Sequence, residues 1–196
     1  MRERTYGRPD AVVLGMALTA TLYTFDVALS DVDRGVYEQL AIKAARHPSE
    51  SEEYLVTRLL AYCLEYAEGI AFSKGGISDP DEPAITIKDL TGAWKAWVEI
   101  GAPDAARLHK ASKASPRVAL YTHRDLRTLF LNYEGQRIHR AEQVEVYAID
   151  RELIAALAPR LDRRTALTIS VTDGTLFIDV GGASLSGAVT RHALPG

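Results

Sequence analysis

Cysteine is nearly absent from this sequence, with Cys63 alone among 196 residues. A single cysteine forms neither an intramolecular disulfide nor a thiolate-rich zinc site. We therefore expect a reducing compartment and predict a cytoplasmic location. The formal net charge of -3, with 47% hydrophobic and 25% charged residues, is ordinary globular composition and disfavours disordered, collagenous and coiled-coil classes.

Long hydrophobic runs are absent as well. No stretch reaches the ~18 consecutive apolar residues that a membrane-spanning helix needs, so we expect no membrane association. Residues 11–25 follow a group of arginines and have the outline of a secretory signal. However, Thr19, Thr21 and Thr24 interrupt the run, and its apolar residues alternate as in a strand. We interpret this segment as a β-strand.

Several motifs of familiar chemistry are missing. The chain has no GxxxxGK[ST] phosphate loop, GxSxG nucleophile elbow, HExxH zinc helix or calcium loop. Gly181, Gly182 and Gly187 lack the context of a dinucleotide site, and we interpret them as turn glycines. Most histidines are interpreted as solvated or structurally satisfied because none has metal-ligand spacing; they are His47, His109, His123, His139 and His192. The search for chemistry therefore narrows to carboxylates.

The first half of the chain predicts two helices followed by two short strands. Residues 32–46 mix apolar and charged side chains without proline, which favours a surface helix. A second helix is predicted from Ser49, because Ser49 and Glu52 fit a capping box ahead of an apolar stripe. Short apolar segments at 70–72 and 85–87 are predicted to be strands around a loop.

The second half predicts alternating strands and helices. A buried strand is expected at 94–101, a helix capped by Asp104 and running to about residue 115, and a strand at 118–121. The same alternation continues with a helix at 125–133, a strand at 144–149 and a helix at 150–158. Alternation of this kind is typical of parallel α/β sheets.

The C-terminal region carries a different signal. Asp173-Gly174 separates two strand-like segments, 167–172 and 175–180, and is a strong indicator of a β-hairpin. With no long linker or repeat, the sequence predicts one α/β domain with a mixed β-sheet flanked by helices and a C-terminal β-hairpin.

Acidic residues form the first set of candidate functional positions. They are Glu50, Glu52 and Glu53 at a helix start, Asp79, Asp81 and Glu82 between prolines, and Glu99 late in a strand. The first group has a structural explanation in the helix dipole, and the second in solvated loop charges. Glu99 is different, since Trp97, Val98 and Ile100 flank it and a buried carboxylate needs a partner, a cation or an open cleft.

Basic residues are concentrated between positions 107 and 127. Six lysines and arginines there accompany one acidic residue, Asp125. Arg107, Lys110 and Lys113 are three apart and so share roughly one face of the predicted helix. This face would attract a polyanion such as nucleic acid, or it is simply a solvated helix surface.

Five segments of the chain resemble the bacterial YaeQ family in order and spacing. They are ARHPSE at 45–50, DEP at 81–83, WVEIG at 97–101 with Pro103 after it, Lys110-Ala111, and VALY at 118–121. The resemblance spans most of the chain and defines a YaeQ-like domain over residues 16–196. Family members of this kind begin near Met16, so we interpret residues 1–15 as an N-terminal extension or a misassigned start.

The YaeQ family is similar in fold to the PD-(D/E)XK nucleases, which implies a restriction-endonuclease-like core with an acidic metal site at the sheet edge. By this resemblance Asp81 and Glu99 would be catalytic metal ligands, with Glu50 or Glu53 as the helix glutamate. The lysine of the E-x-K element is replaced by Gly101, so Lys110 on the next helix is the candidate for its role.

The function that this resemblance implies is a metal-dependent nuclease. Carboxylates would hold Mg²⁺ or Mn²⁺, the metal would activate a water, and Lys110 would orient the water or the phosphate. Arg107, Lys110 and Lys113 would contact the backbone of DNA or RNA. The alternative is a catalytically inactive nucleic-acid or protein binding module on the same fold, and Gly101 favours it. An enzyme acting on a small phosphorylated substrate is a third possibility, and the sequence leaves the oligomeric state open.

Overall fold

The computed structural model describes residues 20–73 and 82–195. Within them the chain forms ten strands and four α-helices. The strands are β1 (Thr21–Asp31), β2 (Val36–Arg46), β3 (Ile70–Phe72), β4 (Ile85–Lys88), β5 (Trp94–Ile100), β6 (Val118–Thr122), β7 (Glu145–Ile149), β8 (Arg164–Thr172), β9 (Thr175–Val180) and β10 (Ala183–Ala193). The helices are α1 (Glu52–Leu64), α2 (Ala105–Ala114), α3 (Leu126–Leu131) and α4 (Arg151–Leu157).

All ten strands belong to one mixed sheet in the order β2-β1-β8-β9-β10-β7-β6-β5-β4-β3. Strands β5, β6 and β7 are parallel to one another, as the strand–helix alternation predicted. Strand β10 joins the two halves, because residues 183–188 pair with β9 and residues 189–193 pair with β7. The sheet curls until it is nearly barrel-shaped. A single α/β domain with a large mixed sheet is therefore confirmed.

The two faces of the β5–β7 region belong to two hydrophobic cores. Val98 and Ile100 of β5 pack in the larger core with Leu59 of α1 and Phe25 of β1. The intervening Trp97 packs in the smaller core with residues of α2 and α3. Because side chains alternate along a strand, Glu99 lies on the same face as Trp97 and is directed toward the α2 side.

The predicted helix at residues 32–46 is wrong, because residues 36–46 form strand β2. Its buried side chains, Leu40, Ile42 and Ala44, recur every second residue. All eleven residues of β2 pair with β1 in an antiparallel ladder. Tertiary pairing with β1 thus overrode the helix propensity of the local sequence. The predicted strand at 11–25 is confirmed from Thr21 onward, and residues 11–19 lie outside the described part of the chain.

The helix caps confirm most of the other predictions. Asp104, Asp125 and Asp150 cap α2, α3 and α4 through their side chains. The cap of α1 is two residues later than predicted, because Ser51 Oγ accepts the hydrogen bond from Tyr54 N at 3.1 Å. Ser49 instead lies against His47, with its hydroxyl 2.6 Å from Nδ1.

The C-terminal hairpin is confirmed, with Asp173 and Gly174 both at positive φ between β8 and β9. Gly181 and Gly182 form the next turn, but Gly187 is a strand residue of β10 and the turn interpretation is wrong for it. A Cβ atom at Gly187 would lie 2.7 Å from Leu153 Cβ. Glycine is required there because α4 packs directly on the strand.

No helix within the described ranges is long and apolar enough to cross a membrane.

Candidate functional site

Glu99 lies near the carboxyl end of β5 and is 3% exposed. It lines a cavity of about 240 Å³ together with Tyr54, Ala84, Pro103 and Arg107. Burial raises the pKa of Glu99, and Arg107 and the Trp97 indole oppose this shift. The sequence predicted that this carboxylate needs a partner or an open cleft, and the structure provides both.

The contacts of Glu99 are concentrated on one oxygen. Arg107 Nε donates to Oε1 at 2.8 Å, and Trp97 Nε1 donates to the same oxygen at 2.6 Å. Hydrogen bonds of this length to a buried carboxylate are charge-assisted and strong. Arg107 is therefore the cation that neutralises Glu99.

Arg107 also connects two other parts of the fold. Its Nη2 donates to the main-chain oxygen of Glu82 at 2.7 Å, just before β4. Its position in the first turn of α2 is fixed by Asp104, whose Oδ1 accepts from Arg107 N at 2.7 Å. One guanidinium thus holds the segment beginning at Glu82 against the Glu99 carboxylate.

Glu50 forms a second buried ion pair. Arg58 Nη2 lies 3.1 Å from Glu50 Oε2, and the two side chains are 3% and 0% exposed. The same nitrogen donates to the main-chain oxygen of Ala45 at 2.6 Å. Among the described residues, Glu50 Oε1 and Arg58 Nε are the enclosed side-chain atoms without a hydrogen-bond partner. Burial raises the pKa of Glu50, and Arg58 provides the largest opposing effect.

Tyr54 lies between the two ion pairs. Arg58 packs over its ring at 5.8 Å from the centroid, and Tyr54 lines the Glu99 cavity. Burial raises the pKa of Tyr54, and the charges of both Glu50 and Glu99 act on it. Tyr54 is therefore a neutral phenol close to two carboxylates.

The other predicted ligands do not join this arrangement. Glu53 is exposed and faces a separate cleft near His123. Asp79 and Asp81 lie outside the described residues. Within residues 20–73 and 82–195, no set of three or more His, Cys, Asp or Glu side chains is placed to hold a metal ion. The described residues therefore do not fit a resident metal site by themselves.

Gly101 shows why lysine is absent from the E-x-K position. Its φ is +83°, a conformation that glycine adopts readily and other residues rarely do. A Cβ atom there would lie 3.6 Å from the Tyr54 ring. A lysine at residue 101 would need a strained backbone and would pack against that ring.

The predicted basic face of α2 is divided in the structure. Arg107 is directed to Glu99 and Glu82, as described above. Lys110 and Lys113 are exposed on the helix. Of the three cations predicted to share one face, Arg107 is thus held by the fold, whereas Lys110 and Lys113 reach the surface of α2.

Sequence reasoning missed Arg58 and Tyr54. Arg58 follows Glu50 by eight residues, a spacing that the rules for helical ion pairs do not select. Tyr54 gave no signal either, since aromatic residues at helical spacing are usually core residues. The contacts depend on the turn before α1, which returns Glu50 toward the helix.

Comparison with known proteins identifies the family. Residues 16–189 match the YaeQ protein family. YaeQ from Escherichia coli (strain K12) is 32% identical over 165 residues, covering 83% of this chain and 90% of that protein. YaeQ from Salmonella typhi is 30% identical over 164 residues, with the same coverage.

Two solved structures of YaeQ proteins share the fold of this chain. The crystal structure of YaeQ from Pseudomonas syringae superposes with a TM-score of 0.78 at 33% identity, covering 90% of this chain and 97% of that chain. The YaeQ structure from Xanthomonas axonopodis pv. citri superposes with a TM-score of 0.80 at 28% identity, covering 90% and 100%. This chain therefore belongs to the YaeQ family.

Proposed function

We propose that this protein is a nucleic-acid binding module in which the acidic residues Glu50 and Glu99 serve structure rather than catalysis. The observation that carries this proposal is the Glu99–Arg107 ion pair, with Nε 2.8 Å from Oε1. A carboxylate that already has a bound cation does not need a metal ion to offset its burial. The buried Glu50 carboxylate is likewise paired with a cation, Arg58.

The nucleic acid would contact exposed Lys110 and Lys113 on α2. Both follow Arg107 in the region where cations outnumber acidic residues. Lysines on one helix face neutralise phosphates without reading bases, so the binding would be salt-sensitive and independent of sequence.

The test is fluorescence anisotropy with a labelled 20-mer, as single-stranded and duplex DNA and RNA, at two salt concentrations in EDTA. We expect binding without divalent metal, and Lys113→Glu weakens it. Removing one phosphate contact reduces the slope of log K against log salt by about 1. The control is Lys43→Glu, which makes the same charge reversal at an exposed residue of the edge strand β2. Equal binding by the parent and Lys113→Glu would reject the proposal.

A metal-dependent nuclease with Mg²⁺ or Mn²⁺ is the second candidate, and the cavity beside Glu99 favours it. Asp81 enters this candidate through the family resemblance and through its position immediately before Glu82 in the sequence. A metal bound there would supply Lewis-acid stabilisation and an activated water. Glu99 would have to exchange Arg107 for the metal.

Calorimetric titration of Mn²⁺ distinguishes the two candidates. The nuclease candidate requires saturable binding and metal-dependent cleavage of DNA or RNA, both lost in Glu99→Gln. Glu38→Gln, an exposed carboxylate on β2, should leave both unchanged. Absence of Mn²⁺ binding with nucleic acid present would eliminate the nuclease and leave the binding module.

A further inference from the structure

A second, larger cleft lies at the carboxyl ends of the parallel strands. Its volume is about 900 Å³, and its lining includes His123 and Arg124 after β6 and Arg151 after β7. Ala102, after β5, borders both this cleft and the smaller Glu99 cavity. The crevice at the carboxyl ends of parallel strands is where open α/β sheets commonly bind ligands, and this volume suits a small molecule.

His123 is the least exposed polar side chain of the cleft, at 8%. Its Nδ1 lies 2.8 Å from Thr57 Oγ1, and that hydroxyl donates its single hydrogen to the Glu53 main-chain oxygen at 2.7 Å. With that hydrogen directed to Glu53, Thr57 Oγ1 accepts from the ring, and on this ground we assign the ring hydrogen to Nδ1. In neutral His123 this leaves Nε2 with a lone pair.

The Nε2 atom is available to a ligand. Thr57 is completely buried and holds Nδ1 on the inner side, whereas the ring lines the cleft. No hydrogen bond to Nε2 is made by any described residue, and Nε2 is not among the enclosed atoms that lack a partner. It therefore keeps contact with the open cleft as a fixed acceptor.

The surroundings keep this acceptor neutral. Burial lowers the pKa of His123 to about 4, and the charges of Arg124 and Arg151 act in the same direction, against Glu53. At neutral pH the ring is uncharged and accepts a hydrogen bond at Nε2.

The charged groups of the cleft define the class of ligand. Arg124 and Arg151 are exposed cations that suit one phosphate group. The carboxylates of Glu53, Asp125 and Glu152 also line the cleft, and Asp125 Oδ1 already accepts from Thr128 N and Oγ1. The cleft thus has three carboxylates against two arginines, which disfavours a bare polyanion and suits a ligand with one phosphate and several hydroxyl groups.

We propose that this cleft binds a phosphorylated sugar, with the phosphate on Arg124 and Arg151 and a sugar hydroxyl donating to His123 Nε2. Thr57 is a positioning residue, since it fixes which ring nitrogen accepts. The cleft includes neither Lys110 nor Lys113, so this proposal does not depend on the proposed nucleic-acid binding.

Calorimetric titration with ribose 5-phosphate, inorganic phosphate and ribose, in EDTA, tests the proposal. We expect ribose 5-phosphate to bind most tightly, because it alone offers both groups. His123→Phe and Arg151→Gln should each weaken it roughly tenfold, the scale of one lost hydrogen bond to a charged or aligned polar group. Arg164→Gln, an exposed arginine on β8, is the matched control and should bind as the parent does.

Thr57→Val provides the decisive variant, because it changes no group that lines the cleft. Losing the hydroxyl removes the acceptor for Nδ1–H, so the ring should shift to the Nε2–H tautomer and present a donor. Imidazole ¹⁵N shifts should report Nδ1–H in the parent and Nε2–H in the variant, with roughly tenfold weaker ribose 5-phosphate binding. Equal affinity for inorganic phosphate and ribose 5-phosphate, no binding at all, or unchanged binding in folded Thr57→Val would overturn the proposal.

Discussion

Arg107 and Glu99 are joined across two elements of the fold, with Arg107 Nε on α2 donating to Glu99 Oε1 on β5 at 2.8 Å. The Arg107 guanidinium reaches Glu82 from the same position. One side chain thus compensates the charge of Glu99 and holds the start of the segment leading to β4. This relationship connects the stability of the fold with the question of metal binding.

Replacing Arg107 should leave the buried Glu99 carboxylate without its cation and so destabilise the fold. We expect Arg107→Met to lower the free energy of unfolding by about 2–3 kcal/mol at pH 7.5, because an unpaired buried charge remains. Glu99→Gln combined with Arg107→Met should recover most of the loss. Urea unfolding of the parent, both single variants and the double variant measures this coupling.

The loss of unfolding free energy caused by Arg107→Met, called the deficit below, should depend on pH. Burial raises the pKa of Glu99 above the usual glutamate value of 4.5, and losing Arg107 raises it further. Because the folded state then binds the proton more tightly than the unfolded state, stability falls as the pH rises through that interval. We therefore expect the deficit to shrink as the pH falls toward 4.5. A deficit independent of pH would mean that Arg107 acts through packing alone.

Breaking the buried Glu50–Arg58 pair should lower the free energy of unfolding more than breaking a solvent-accessible pair. Arg58→Met leaves the fully buried Glu50 carboxylate without its cation, and we expect a loss of about 3–5 kcal/mol. The control is the nearby pair of partly exposed Arg46 and exposed Glu52, which lie 3.7 Å apart. Glu52→Gln should change stability by under about 0.5 kcal/mol. Similar losses in both variants, measured by urea unfolding, would contradict the burial argument.

Placing a lysine at the third position of the E-x-K element, residue 101, should destabilise the fold. Gly101→Lys places a charged side chain at a φ of +83° in a buried position, so we expect about 2–3 kcal/mol of destabilisation. Gly92→Lys is the matched control, because its φ is +84° with nothing within 4 Å. It should lose only about 1 kcal/mol. Equal losses in thermal unfolding would mean that burial at residue 101 has no effect.

Cys63 should be chemically inert in the native protein. It is completely buried, and burial raises the pKa of its thiol to about 12. Since the thiolate is the reactive form, we expect negligible labelling by iodoacetamide at pH 8 and full labelling in urea. Rapid labelling without denaturant would show that α1 opens readily.

Local sequence signals determined much of the second half of the chain. Asp104 caps α2, Asp125 caps α3, and the Asp173-Gly174 turn joins β8 to β9. These features depend on residues within about four positions of one another, so a single sequence reveals them. The buried carboxylate at Glu99 was also predictable, because apolar residues surround it in a strand.

Only the tertiary structure decided the remainder. Residues 36–46 became strand β2 because β1 offered a complete ladder, which no local pattern specified. The partners of Glu50 and Glu99 were likewise set by how α1 and α2 pack around the sheet. The partner of His123 Nδ1 is Thr57, sixty-six residues earlier in the chain. Composition and short-range spacing predict which charged residues lie in apolar surroundings. The partners of those buried charges depend on long-range packing. That pairing determines the electrostatics of the site.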